Sequence, residues 1–227
     1  MQNKSTSFDK FSNFINAFGA TRLLLQRAHD QVFLIEGLVL YASLVDGFCR
    51  ICLVLKEQIK NKNDDIYDKY IYQTDGDTGI SERKIYELAY KNKAISKKVY
   101  DELNSLYDIR NKAIHKFFIS EIEYSHLEIV CKRYEKLYNE LWQIAYNLES
   151  EQIKKGVGMT HAGRKSTEKD KIKIHSDIMR KIKSGSERNL AKTLNCVSVE
   201  EVVEFASKRG LLQKCICGHE KIIKIPA

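Results

Sequence analysis

A chain of 227 residues with 43% hydrophobic and 30% charged residues is long and apolar enough to bury one good core, which excludes a disordered or fibrous class. Its +8 charge is uneven: residues 1–150 hold 21 Lys+Arg against 21 Asp+Glu, whereas residues 151–227 hold 17 against 9. A neutral body with a basic extension suits contact with phosphate backbones, and equally a solvated tail.

The opening MQNKSTSFDK is polar and carries no secretory leader pattern, so a cytoplasmic protein is expected. Six cysteines, Cys49, Cys52, Cys131, Cys196, Cys215 and Cys217, form no regular framework, and reduced thiols are expected. The only proline, Pro226, leaves every upstream helix free of its strongest breaker.

Helical periodicity dominates the chain, which predicts an all-α bundle. A helix is expected over Phe8 to Phe18, ending near Gly19, and another from about Thr21 to Lys60 with a break near His29. Val32 to Leu55 is apolar enough to suggest a membrane span. Glu36, Asp46 and Arg50 inside it favour a buried helix of a soluble protein. The polar stretch 61–80, with Asp-Gly and Thr-Gly steps, reads as a loop.

Ser81 and Ser96 then serve as N-caps for helices running to about Asn92 and Phe118. Ser125 and Glu128 have capping-box spacing for a helix to about Lys155, along which Leu127, Val130, Tyr134, Leu137, Leu141, Ile144 and Leu148 form a packing stripe. Gly156, Gly158 and Gly163 mark a linker over 156–168. The expected organisation is a bundle over 1–155, that linker, and a small, basic, mainly helical region over 169–227.

In the C-terminal region Ile174, Ile178 and Ile182 form a thin apolar line. Ser198 and Glu201 suggest a capped helix stopped at Gly210, whose Glu200, Glu201 and Glu204 argue against a DNA-reading helix. Cys215, Cys217 and His219 fall short of the four ligands of a structural zinc site, so no metal or cofactor is expected. The alternation around Gly218-His219 reads as a small hairpin.

The helix from Ser96 carries the chemistry. Val99, Leu103, Leu106, Ala113 and Phe117 form an apolar stripe with one position taken by Arg110. A guanidinium there needs a partner, a wet cleft or an anion, because an unpaired interior charge costs several kcal/mol or more. Asn104, Asp108, Asn111 and His115 form a polar stripe beside it. Arg110 and His115 lie about 140° apart on an ideal helix, so they flank a site rather than touch.

The run LYDIRNKAIHKFF resembles the signature of the HEPN superfamily, with Arg110, Asn111 and His115 at the family's spacing and the likeness extending over roughly residues 20–155. The resemblance implies a HEPN-like four- to five-helix bundle acting as a homodimer. It implies metal-independent RNA cleavage to 2′,3′-cyclic phosphate and 5′-hydroxyl ends, with Arg110, Asn111 and His115 catalytic. It also implies a toxin or anti-phage defence role and an antitoxin or regulatory partner, and it makes acidic support from Glu36, Asp46 or Asp108 plausible.

Lys112, Lys116, Arg164, Lys165, Lys171, Lys173, Arg180, Lys181 and Lys183 are the expected RNA-contacting cations. The alternative is a non-catalytic adaptor that binds RNA or nucleotide, or docks a protein. Glu36, Ser43, Arg50 and Glu57 recur every seven residues as a polar line that borders the cleft or faces water.

Overall fold

The computed structural model describes residues 6–73, 78–161, 168–182, 212–214 and 220–222. The body is an all-α bundle, with α1 (Ser7–Asp30), α2 (Leu34–Asn61), α3 (Glu82–Lys91), α4 (Lys97–Lys116), α5 (Tyr124–Lys155) and the one-turn α6 (Gly158–His161). Short 3-10 turns occupy Asp68–Tyr70 and Phe117–Ile119. Compact units cover Met1–Asp170 and Lys171–Ala227.

α1 is a single helix that passes through Gly19, where the sequence suggested an end. One interior glycine costs only about 1 kcal/mol. The packing of Phe18 edge-on to Phe48 at 4.8 Å, with Ala20, Leu25 and Ala28 buried, outweighs that cost. Thr6 and Asp9 form a reciprocal capping box at its start. The break falls at Gln31–Phe33, where Val32 takes a left-handed φ of 57°. Tyr124 secures that turn, its hydroxyl donating to Val32 O (2.9 Å) and accepting from Leu34 N (3.1 Å).

α2 is the central helix. Leu38, Leu44, Val45, Cys49, Cys52, Leu53 and Leu55 are fully buried and cover about half of its circumference, which Val54 and Ile51 widen further, as expected of a core helix. By length and composition it could cross a membrane, yet 72% of its most apolar window is buried inside the fold. α1 returns along it, so that His29 Nε2 meets Tyr41 Oη at 3.1 Å. α5 runs parallel to it with a constant offset: Cys131 Sγ lies 3.6 Å from Leu34 O, and Gln152 Nε2 donates to Leu55 O at 3.2 Å.

Ser81 and Ser96 cap α3 and α4 as expected, their hydroxyls accepting from Lys84 N and Val99 N. The α5 cap is instead Glu123, which exchanges bonds with His126, while Ser125 donates to the Glu123 carboxylate. The α5 stripe is buried at every expected position except Ile144, which is partly covered; Ala145 shares the contact.

The expected linker begins as structure. Gln58 and Gln152, both fully buried, form an amide pair that caps the C-terminal ends of α2 and α5. Gln58 donates to Asp64 O and Asp65 O, and the two side-chain oxygens accept from Met159 N and Thr160 N. Gly158 has φ +75°, and a Cβ there would collide with the Gln152 side-chain amide. Only a glycine lets α6 approach this closely.

The basic segment is helical as α7 (Glu168–Ile182), and in the second unit Leu212–Lys214 pairs antiparallel with Glu220–Ile222. The pairing centres on position 217, close to the expected Gly218-His219 turn. That turn, Cys215, Cys217, Cys196, and the expected capped helix from Ser198 to Gly210 lie outside the described residues.

Candidate functional site

α3 and α4 form an antiparallel hairpin about a tight turn at residues 92–96, and positions equidistant from that turn face each other. Tyr90 stacks on Tyr100 at 5.1 Å, Arg83 pairs with Asp108, and Arg110 reaches Glu82. Each arginine of the hairpin is thus matched by a carboxylate on the other helix.

The Arg110 contact is two-pronged, with NH1 to Glu82 Oε1 at 3.3 Å and NH2 to Glu82 Oε2 at 2.5 Å. Only 14% of the Arg110 side chain is exposed, against 28% for Glu82. The stripe position thus holds a guanidinium whose charge is met within the same chain. Burial opposes that charge, and Glu82 overcomes the opposition, so the Arg110 pKa lies above its ordinary value. The Tyr107 ring lies 4.9 Å from the Arg110 guanidinium and 4.6 Å from that of Arg83.

Behind Arg110 lies a second pair. Asp46 accepts from Arg50 Nε at 2.6 Å, and the other Arg50 nitrogens donate to Tyr70 O (2.6 Å) and Ile80 O (3.2 Å). Arg50 therefore pins the chain that leads into Ser81 and Glu82. Burial raises the Asp46 pKa, with Arg50 and Arg110 opposing and Glu82 adding to the rise, so the four groups share one electrostatic cluster. Asp46 Oδ1 and Arg110 Nε are buried without a hydrogen-bond partner. Tyr86, packed beside them, has its hydroxyl pKa pushed well up by burial.

Asn111 and His115 lie one turn apart on α4, with Asn111 half-buried and His115 exposed in the last turn. Neither side chain has a hydrogen bond or ion pair among the described residues. Arg110 and His115 are separated by about 7.5 Å of helix rise and roughly 140° of rotation. The single chain does not bring them together.

The other expected site residues scatter. Asp46 joins the Arg110 cluster, whereas Glu36 is exposed near the start of α2, about 15 Å along the helix from Asp46. Asp108 is committed to Arg83. Of the seven-residue polar line, Glu36 and Ser43 face water, while Arg50 and Glu57 hold the Asp68–Tyr70 turn, Glu57 accepting from Tyr70 Oη at 2.6 Å.

Lys112, Lys116, Lys173 and Arg180 are exposed, and Arg180 pairs with Asp177 at 3.1 Å. Lys171 and Lys181 fall within α7; Arg164, Lys165 and Lys183 lie outside the described residues. Among the described residues no group of three or more His, Cys, Asp or Glu is placed to hold a metal ion.

Glu82 escaped the sequence reading. A glutamate in a helix's first turn is ordinary, since it meets the positive end of the dipole. The usable signal was the short α3–α4 turn, which sets 82 opposite 110.

No family model matches the chain, and neither a curated protein nor a solved structure matches it.

Proposed function

We propose that the protein is a metal-independent endoribonuclease acting as a cytoplasmic homodimer, in the manner of a toxin or anti-phage defence effector. The observation that carries this reading is His115: an exposed imidazole without a protein partner among the described residues, one turn from Asn111, on the helix that bears Arg110. Two copies meeting along this face would bring two such helices to one phosphodiester.

One His115 would take the proton from the ribose 2′-hydroxyl as its oxygen attacks the adjacent phosphorus. The other would donate a proton to the departing 5′-oxygen, leaving a 2′,3′-cyclic phosphate and a 5′-hydroxyl. Arg110 would stabilise the charge growing on the phosphorane, and Asn111 would orient the phosphate. DNA lacks the nucleophile and would resist.

The test is incubation of single-stranded RNA with the protein in EDTA, followed by end-group analysis. Cyclic phosphate ends that vanish in His115→Ala and Arg110→Ala support the proposal; cleavage surviving in both variants, or requiring a divalent metal, rejects it. The Glu82 contact favours a second reading, because an arginine already neutralised within its own chain is also what a non-catalytic RNA-binding or docking bundle would contain. RNA binding without cleavage, together with loss of binding on truncation at about residue 161, would favour that adaptor.

A further inference from the structure

We propose that Glu82 is a displaceable internal counter-ion that holds Arg110 closed, so that an RNA phosphate binds by taking the place of the carboxylate on the guanidinium. The inference rests on the RNA reading of this site and adds a control to it.

The two-pronged end of the Arg110 guanidinium is occupied. Both terminal nitrogens lie on Glu82, and Nε is buried without a partner. In this arrangement the forked pair of N–H groups that would grip an anion from outside is held by the carboxylate. The geometry on Glu82 is the forked carboxylate geometry that a phosphate reproduces with two of its oxygens, so one anion can replace the other without moving α4.

Glu82 is also the more exposed partner. Its side chain is 28% exposed, and it sits in the first turn of α3, where a rotamer change carries the carboxylate into water. The helix around it stays fixed, because Arg50 holds Ile80 O and the Ser81 hydroxyl accepts from Lys84 N. The neighbouring Arg83–Asp108 pair differs, being 47% and 69% exposed on its two sides, so it is screened and weak. Of the two carboxylates that meet an arginine across this hairpin, Glu82 is the one whose displacement controls the anion site.

A merely structural role for Glu82 predicts that removing it weakens everything. The counter-ion role predicts that stability and affinity move in opposite directions. In Glu82→Gln the half-buried Arg110 loses its counter-charge, so the melting temperature falls. RNA should nevertheless bind about five- to tenfold tighter, the lower part of the range for coupled sites. The dependence of affinity on salt should steepen by about 0.7 in log–log slope, because a phosphate now neutralises a free cation instead of exchanging with a carboxylate.

The experiment measures binding of the full chain to an unstructured 2′-O-methyl RNA, which lacks the nucleophile, for wild type, Glu82→Gln, Arg110→Ala and the double variant. Tighter binding in Glu82→Gln that disappears in the Arg110→Ala background supports the proposal. Equal or weaker binding in Glu82→Gln, with binding still dependent on Arg110, overturns the counter-ion role and leaves the RNA site standing. The same gain in the presence and absence of Arg110 also overturns it, since the effect is then only the general field. RNA binding indifferent to Arg110 overturns both this inference and the site on which it rests.

Discussion

Combining Arg110→Met with Glu82→Gln asks whether the pair exists for stability. Arg110 stands between Leu106 and Ala113 in a face otherwise built for packing, with 14% of its side chain exposed. Its aliphatic stem already packs there, so Met adds little apolar burial. The gain comes from removing a desolvated guanidinium whose Nε has no partner, an orphaned donor worth about 1–3 kcal/mol. The amide introduced by Glu82→Gln is uncharged and can turn to solvent, and well-packed apolar replacements of buried ion pairs are commonly neutral to stabilising.

The double variant is therefore expected to be about 1 kcal/mol more stable than wild type. With a urea slope of about 1–3 kcal/mol per molar, that shifts the midpoint upward by about 0.3–1 M without changing the slope. RNA binding should be lost in the same preparation. A fall in stability of more than about 2 kcal/mol would refute the reasoning, because the pair would then be holding the hairpin together.

Three further outcomes are expected. Because burial raises the Asp46 pKa, the native state keeps its proton to higher pH than the unfolded chain, and stability falls as pH rises from about 3.8 through the raised value; thermal melts from pH 4 upward should show Asp46→Asn gaining on wild type, and the opposite trend would contradict the assignment. Gln152→Leu removes the bonds to Leu55 O, Gln58 Oε1 and Thr160 N and should cost about 2–4 kcal/mol in urea unfolding, whereas adding Gln58→Leu should cost much less than a second such loss; simple additivity would count against a coupled amide pair. Burial pushes the Cys52 thiol up to about 12 and that of Cys131 up to about 11, with Cys49 also well above its ordinary value, so iodoacetamide at pH 8 should leave all three unlabelled until the protein unfolds; mass spectrometry of the native protein checks this.

The bundle was legible because its signals were local. Ser81 and Ser96 cap the helices they announced, and the Leu127-to-Leu148 stripe lies against the core. The errors came where tertiary contact overrode a local cue. Gly19 is carried through by Phe18 on Phe48, and the Gly156–Gly158 stretch is organised by two buried glutamines distant in sequence. The vacancy that Arg110 fills in its stripe was readable from periodicity, but Glu82 was not, since its role depends on which helices are neighbours. Glu36, which the resemblance made plausible as cleft support, stands about 15 Å along α2 from Asp46, so the single chain does not bring it to Arg110.

The parallel pairing of α2 and α5 sets a timetable for biosynthesis. The residues that touch along it, such as Leu34 with Cys131 and Leu55 with Gln152, are 97 positions apart. At about 5–20 residues per second, the ribosome delivers α2 some 5–20 s before the helix that covers it. During that interval a 28-residue helix of membrane-like hydropathy has only α1, and then the small α3–α4 hairpin, as shelter. A nascent chain arrested before Tyr124 should therefore be a client for chaperones or for the membrane-insertion machinery, and completion of α5 should release it.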